Sequence, residues 1–138
     1  MQIESHFHDF VKECSLDEEM TPPEPIASIC TSLNAARILS MLCHILYHHA
    51  GEFSEFKSAY NGEDCVCLRR PEAVELLGLK LRAYDEALSS LRDEGFVRTE
   101  VIKTKDWQRT HIFLNKMEIL RAVDFKANSL LNCRQEIY

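Results

Sequence analysis

Apolar positions recur along the chain in two rhythms, one close to the helical repeat and one close to the strand repeat. Phe7, Phe10, Val11 and Cys14 stand at spacings of three, one and three, which predicts a short amphipathic helix near the start. Leu39, Leu42, Cys43 and Leu46 repeat as i, i+3, i+4 and i+7 and predict a strong helix over 33–49. Thr31 or Ser32 can cap its first N–H groups, and Ala50-Gly51 can stop it. Phe53, Phe56 and Tyr60 follow, but the stretch ends in the turn signal Asn61-Gly62, so 52–64 reads as loop with at most one helical turn. Cys65-Val66-Cys67-Leu68, apolar between a turn and charge, reads as a short strand.

Arg70-Pro71-Glu72 puts proline at a first helical position and an acid in the first turn, which starts a short helix over 72–77. Gly78 supplies a turn, and a second helix over 81–94 carries Tyr84, Ala87, Leu88 and Leu91 on one face before Gly95 ends it. Phe96, Val97, Val101 and Ile102 mark one strand and His111-Ile112-Phe113-Leu114 another, with the polar stretch 103–109 as the hairpin loop between them. Ile119, Leu120, Val123 and Leu130 or Leu131 predict a closing helix over 116–132. Pro22, Pro23 and Pro25 cluster with four acids within 17–25, a stretch expected to be neither helix nor central strand but a linker or arm. The chain thus divides into a helix and acidic arm over 1–30, a domain over 31–116, and a terminal helix over 117–138 that can serve dimerisation.

The order helix, short strand, short helix, glycine turn, longer helix, strand, loop, strand resembles the winged helix-turn-helix superfamily. The match is densest over 75–97, from Glu75-Leu76-Leu77-Gly78 through Ala87-Leu88 to Glu94-Gly95-Phe96-Val97. In the family run that it is similar to, two helices pack across a tight turn and a glycine drops the chain into the wing. Ala35-Ala36-Arg37-Ile38-Leu39-Ser40, opening a helix that ends near Tyr47-His48-His49, also looks like the winged-helix domains of phage and plasmid replication proteins. The resemblance implies an α+β winged helix-turn-helix with extra terminal helices. It also implies a ligand, double-stranded DNA, with the second helix in the major groove and the wing on backbone or minor groove.

Carried over by position, Lys80, Arg82, Ala83, Asp85, Glu86, Ser89 and Ser90 would face the groove. Arg82 would bond a guanine edge, Ser89 or Ser90 a base or phosphate, and Arg69, Arg70, Lys103, Lys105 and Arg109 phosphates. Trp107, at the wing tip, would lie against a sugar or insert in the groove. The expected role is transcription control or replication initiation in a prokaryote or mobile genetic element. Asp85 and Glu86 carry the alternative, a winged-helix adaptor whose acidic helix face binds a protein partner.

Charge sharpens this picture. The net charge is -6, yet residues 1–64 hold three Lys/Arg against eleven Asp/Glu, whereas 65–116 hold ten against eight. The acid excess is N-terminal, and the segment with the resemblance is mildly basic. The six cysteines lie in apolar segments and read as buried, reduced thiols; Cys65 and Cys67 fall on one face of a strand without a CxxC partner. His44 and His48 stand at i and i+4, but no glutamate follows His44 to complete a zinc-protease motif, so a solvated or partner-facing cluster is expected, with no metal or other cofactor. No phosphate loop or nucleophile elbow is present, and an enzyme is not expected. The lack of a leader or a long apolar run leads to the expectation of a soluble, cytoplasmic protein without membrane contact. Phe7, Phe10, Val11, Ile119, Leu120, Val123, Phe125, Leu130 and Leu131 exceed what a minimal winged helix buries, which motivates the expectation of a homodimer.

Overall fold

In the computed structural model, residues 2–13, 21–47, 54–103 and 105–137 are described, with the backbone alone for 2, 4, 13, 54 and 129–137. They form a mixed α+β fold in the order α1 (Gln2–Glu13), α2 (Glu24–Ala27), α3 (Leu33–Tyr47), β1 (Lys57–Tyr60), β2 (Glu63–Cys67), α4 (Arg70–Leu77), α5 (Leu81–Asp93), β3 (Val97–Lys103), β4 (Gln108–Leu114) and α6 (Lys116–Ile137). A single 3₁₀ turn, Ser54–Phe56, precedes β1. The readings placed on Cys14, Asp17 to Met20, His48, His49, Ala50-Gly51 and Phe53, and on the side chains of Leu130, Leu131 and Cys133, lie outside this description.

The Ser32 hydroxyl caps α3, accepting the Ala35 N–H at 3.1 Å. Ten of the fifteen residues of α3 are buried, so apolar side chains point to nearly every side of the helix and each side needs a cover. Helices α1, α2 and α5 and strand β2 supply it. Phe7 of α1 is buried with its ring 5.4 Å from that of Tyr47, and Val11 joins the same core. The proline-rich arm was expected to contain no helix. Instead Glu24 and Pro25 open the one-turn α2, since a proline in a first helical turn forfeits no hydrogen bond, and Ile26 is buried beneath it.

Helix α6 packs on α1 and buries Ile119. Much of the terminal apolar surface assigned to a second copy is therefore covered within the chain, whereas Phe125 stays 69% exposed.

The four strands form one antiparallel sheet in the order β1-β2-β4-β3. Strand β1 lies where the sequence predicted loop. Lys57-Ser58-Ala59-Tyr60 lacks apolar alternation, and its pairing is imposed by the two-residue turn Asn61-Gly62, both residues at positive φ (52° and 80°), which folds Tyr60 onto Glu63. The loop expected over 103–109 is also shorter, because β3 and β4 stay paired out to Lys103 and Gln108. One sheet face, with Val66, Leu68, Val97, Ile112 and Leu114, packs on the helices.

Helices α4 and α5 meet across residues 78–80. Gly78 sits in the left-handed region (φ 65°, ψ 29°), and the Leu79 N–H closes the helix end on the Val74 carbonyl at 3.2 Å. A Cβ on Gly78 would meet nothing within 4 Å, so Gly78→Ala adds conformational strain without a clash. We expect a loss of about 1–2 kcal/mol in urea unfolding, with a smaller loss for Gly78→Asn because asparagine tolerates this region. Equal midpoints for parent and Gly78→Ala would contradict this account of the turn.

Candidate functional site

The start of α4 is built by a local exchange. Glu72 reaches back to accept the Arg69 backbone N–H at 3.1 Å and its Nε at 3.0 Å, which closes the first turn and orients Arg69. At the other end of α4, Arg37 from α3 donates to the Leu77 carbonyl at 2.5 Å, so the α4–α5 turn is tied to the core helix. The chain leaves α5 through paired bonds, Gly95 N–H to Arg92 and Phe96 N–H to Leu91, each 3.0 Å, and passes directly into β3.

On this frame the predicted site residues separate into groups. Arg69, Arg70 and Arg109 line one cleft of about 250 Å3 between the start of α4 and strand β4, together with Leu81, Gln108 and Thr110. Arg70 and Thr110 are shared with a neighbouring cleft of about 220 Å3 between α5 and the hairpin, where Arg92 and Thr99 also lie. Lys80 is the residue before α5 and makes no side-chain cap bond, and Arg82 projects from the first turn with its side chain 91% exposed. Ser89 is half-buried. Ser90 hydrogen-bonds Thr31 at 2.8 Å, so its hydroxyl serves an internal contact with the segment before α3. Lys103 and Lys105 are exposed at the far end of the hairpin. Trp107 lies back on the sheet rather than projecting from the tip, its ring stacked on His111 at 6.2 Å with the Arg109 guanidinium 5.3 Å above it.

The two carboxylates in the first half of α5, Asp85 and Glu86, are engaged. Asp85 pairs with Arg70 through two bonds, one of them Nε to Oδ1 at 3.1 Å, and Glu86 accepts Arg82 Nε at 3.0 Å. The bond to Asp85 and its charge hold Arg70 firmly protonated. All four groups are substantially exposed, so each pair contributes little to stability and exchanges readily for another ligand. Arg109 makes no ion pair among the described residues. Burial pushes the Tyr84 hydroxyl, under the α5–hairpin cleft, up to about 12, with the Asp85 charge adding to the shift, so it stays protonated.

Several residues at this site escaped the sequence reading. Arg92, which donates to Thr99 Oγ1 at 3.2 Å, had a signal in its place on α5, ten residues beyond Arg82. The outer sheet face was missed because it needs register. There Arg98 lies 4.2 Å over Phe113 and is held by Glu63 at 2.9 Å, while Tyr60 stands 6.3 Å from His111. Cys65 is buried on this face, and burial, then the charges of Cys67, Asp64 and Glu63, push its thiol up to about 11, which leaves it un-ionised at neutral pH. Cys30 is pushed to about 12, by burial and then by Glu94. Cys30, Cys65 and Cys67 are free thiols. Among the described residues no three His, Cys, Asp or Glu side chains converge as a metal site, and no helix is long and apolar enough to cross a membrane.

Compared with protein-family models, curated protein sequences and solved structures, the chain matches none.

Burial alone would raise the Glu72 pKa, but the backbone and side-chain bonds from Arg69, with the charges of Arg69 and Arg109, bring it below the usual glutamate value. Its contribution is therefore complete above the unfolded value of about 4.3 and lost as pH falls through the lowered folded value. Glu72→Ala should cost about 1 kcal/mol at pH 7. The difference between the urea midpoints of parent and variant should shrink progressively as pH falls below the usual glutamate value, and a difference that stays constant on acidification would refute the assignment.

Proposed function

We propose that this chain is a winged helix-turn-helix protein that binds duplex DNA, with α5 as the groove helix and the β3–β4 hairpin as the wing. The observation that carries the reading is the convergence of Arg69, Arg70 and Arg109 on one cleft between the start of α4 and strand β4. Three arginines lining an open cleft suit a backbone phosphate. The sequence of elements supports the reading too: a short helix, a three-residue turn, a longer exposed helix and an antiparallel hairpin. Arg82 then reaches base edges from the first turn of α5, while Lys103 and Lys105 extend the phosphate contacts along the wing.

The carboxylates of Asp85 and Glu86 bear on the rival reading, an adaptor with an acidic helix face. Their pairing with Arg70 and Arg82 leaves this part of α5 close to neutral, which favours a polyanion over a basic protein partner. A phosphate approaching Arg70 competes with Asp85 for an exposed, weakly held guanidinium.

Binding to a duplex of arbitrary sequence is sufficient as a test, because the phosphate term is independent of sequence. With fluorescence anisotropy at a series of salt concentrations, log K should fall linearly with log salt. The triple variant Arg69→Gln, Arg70→Gln, Arg109→Gln should flatten that slope by about 2–3, roughly 0.9 per phosphate contact removed. An unchanged slope, or no duplex binding at low salt, would reject the proposal and favour the adaptor.

A further inference from the structure

The outer face of the sheet, opposite the helices, holds a line of flat side chains of which the proposed duplex cleft uses only Arg109. Tyr60, His111, Trp107 and Arg109 follow one another at 6.3, 6.2 and 5.3 Å, from strand β1 to the end of the hairpin. The two outer rings of this row, Tyr60 and Trp107, are 39% and 40% exposed, while His111 between them is 5% exposed. Trp107 is stacked on His111 with Arg109 over its ring, and Tyr60 is tilted 48° to His111, so neighbours hold both rings in place while part of each stays exposed for stacking. Toward the other end of this face Cys65 and Phe113 are buried, so the open part of it is the stretch that carries Tyr60 and Trp107.

Charge selects the occupant. Arg109, at the end of the row, makes no ion pair among the described residues and also lines the cleft with Arg69 and Arg70. Of the acids near the row, Glu63 is already held by Arg98, Glu100 lies across from His111 on β3, Asp64 is close enough to act on Cys65, and Asp106 is exposed next to Trp107; none of them lines the cleft that Arg109 enters. Rings alone would take many apolar partners, but rings that run into a cluster of arginines suit a chain alternating flat bases with phosphates.

We infer that this row binds two or three unpaired nucleotides of a DNA strand, with bases stacked on Tyr60 and Trp107 and a phosphate at Arg109, continuous with the phosphate cleft. The choice of DNA rests on the proposed duplex reading, whereas the stacking platform stands on the side-chain geometry.

The chain has one tryptophan, so its fluorescence reports on the platform itself. Titrating the full chain with an oligothymidylate of about twelve nucleotides should quench that emission saturably. With a labelled strand and anisotropy, Tyr60→Ala and Trp107→Ala should each weaken binding by about 5- to 150-fold, and Trp107→Phe should restore most of the loss. Both side chains are well exposed, and circular dichroism on the same samples verifies the fold. Emission that the strand leaves unmoved, or both alanine variants binding as the parent does, would overturn the inference. Blunt duplex measured alongside separates the two claims: Tyr60→Ala, which touches neither the cleft nor Arg109, should bind it as the parent does, and duplex binding retained while the strand fails to bind would remove the platform but not the duplex proposal.

Discussion

Helix α3 is apolar on nearly every side, and the need to cover it organises the molecule. A helix with Ile38, Leu39, Met41, Leu42 and Ile45 all buried cannot lie on a surface, so other elements must surround it. Strand β2 and helix α5 close two sides, and α1 and α2 close others. Arg37 adds a polar anchor by holding the carbonyl at the end of α4, so the packing that hides α3 also sets where α4 and α5 cross. The exposed surfaces of those two helices and of the hairpin are thereby presented by a rigid core.

Electrostatics on the presented surface follow a different logic. Its arginines are mostly engaged, Arg69 with Glu72, Arg70 with Asp85, Arg82 with Glu86 and Arg98 with Glu63, at separations and exposures where each pair is worth little to folding. Such pairs fix the directions of long side chains while leaving them available for exchange. Arg109 makes no ion pair among the described residues and lies where the cleft at the start of α4 meets the outer sheet face, so it joins the surface proposed for a duplex to the one inferred for an unpaired strand.

The elements with a strong local rhythm or local chemistry were readable from the sequence. Helix α5 has its apolar face at Tyr84, Ala87 and Leu91, α4 its proline start and Gly78 stop, and β4 the apolar run from Ile112 to Leu114. Strand β1 was not readable from apolar alternation, because Lys57-Ser58-Ala59-Tyr60 is held by backbone pairing and the Asn61-Gly62 turn; the turn itself was the usable signal. At the candidate site, Arg69, Arg70, Lys103, Lys105 and Arg109 were all expected to meet phosphates together; the three arginines line one cleft, whereas the two lysines stand at the far end of the hairpin. The Arg82–Glu86 pair was visible at i and i+4, but Arg70–Asp85 and Arg98–Glu63 depend on the crossing of helices and on sheet register. The row from Tyr60 to Arg109 likewise exists only once three strands are aligned.

In the proposed function one continuous face, made by α5, the start of α4 and the hairpin, receives duplex DNA. Amide-resolved NMR during a titration with blunt duplex at low salt tests it most directly. The account predicts shift changes concentrated in the first turns of α4 and α5 and along β3 and β4, with the amides of α3 and α1 unmoved. Changes concentrated on α1 and α6, or none anywhere at duplex concentrations well above the protein, would contradict it.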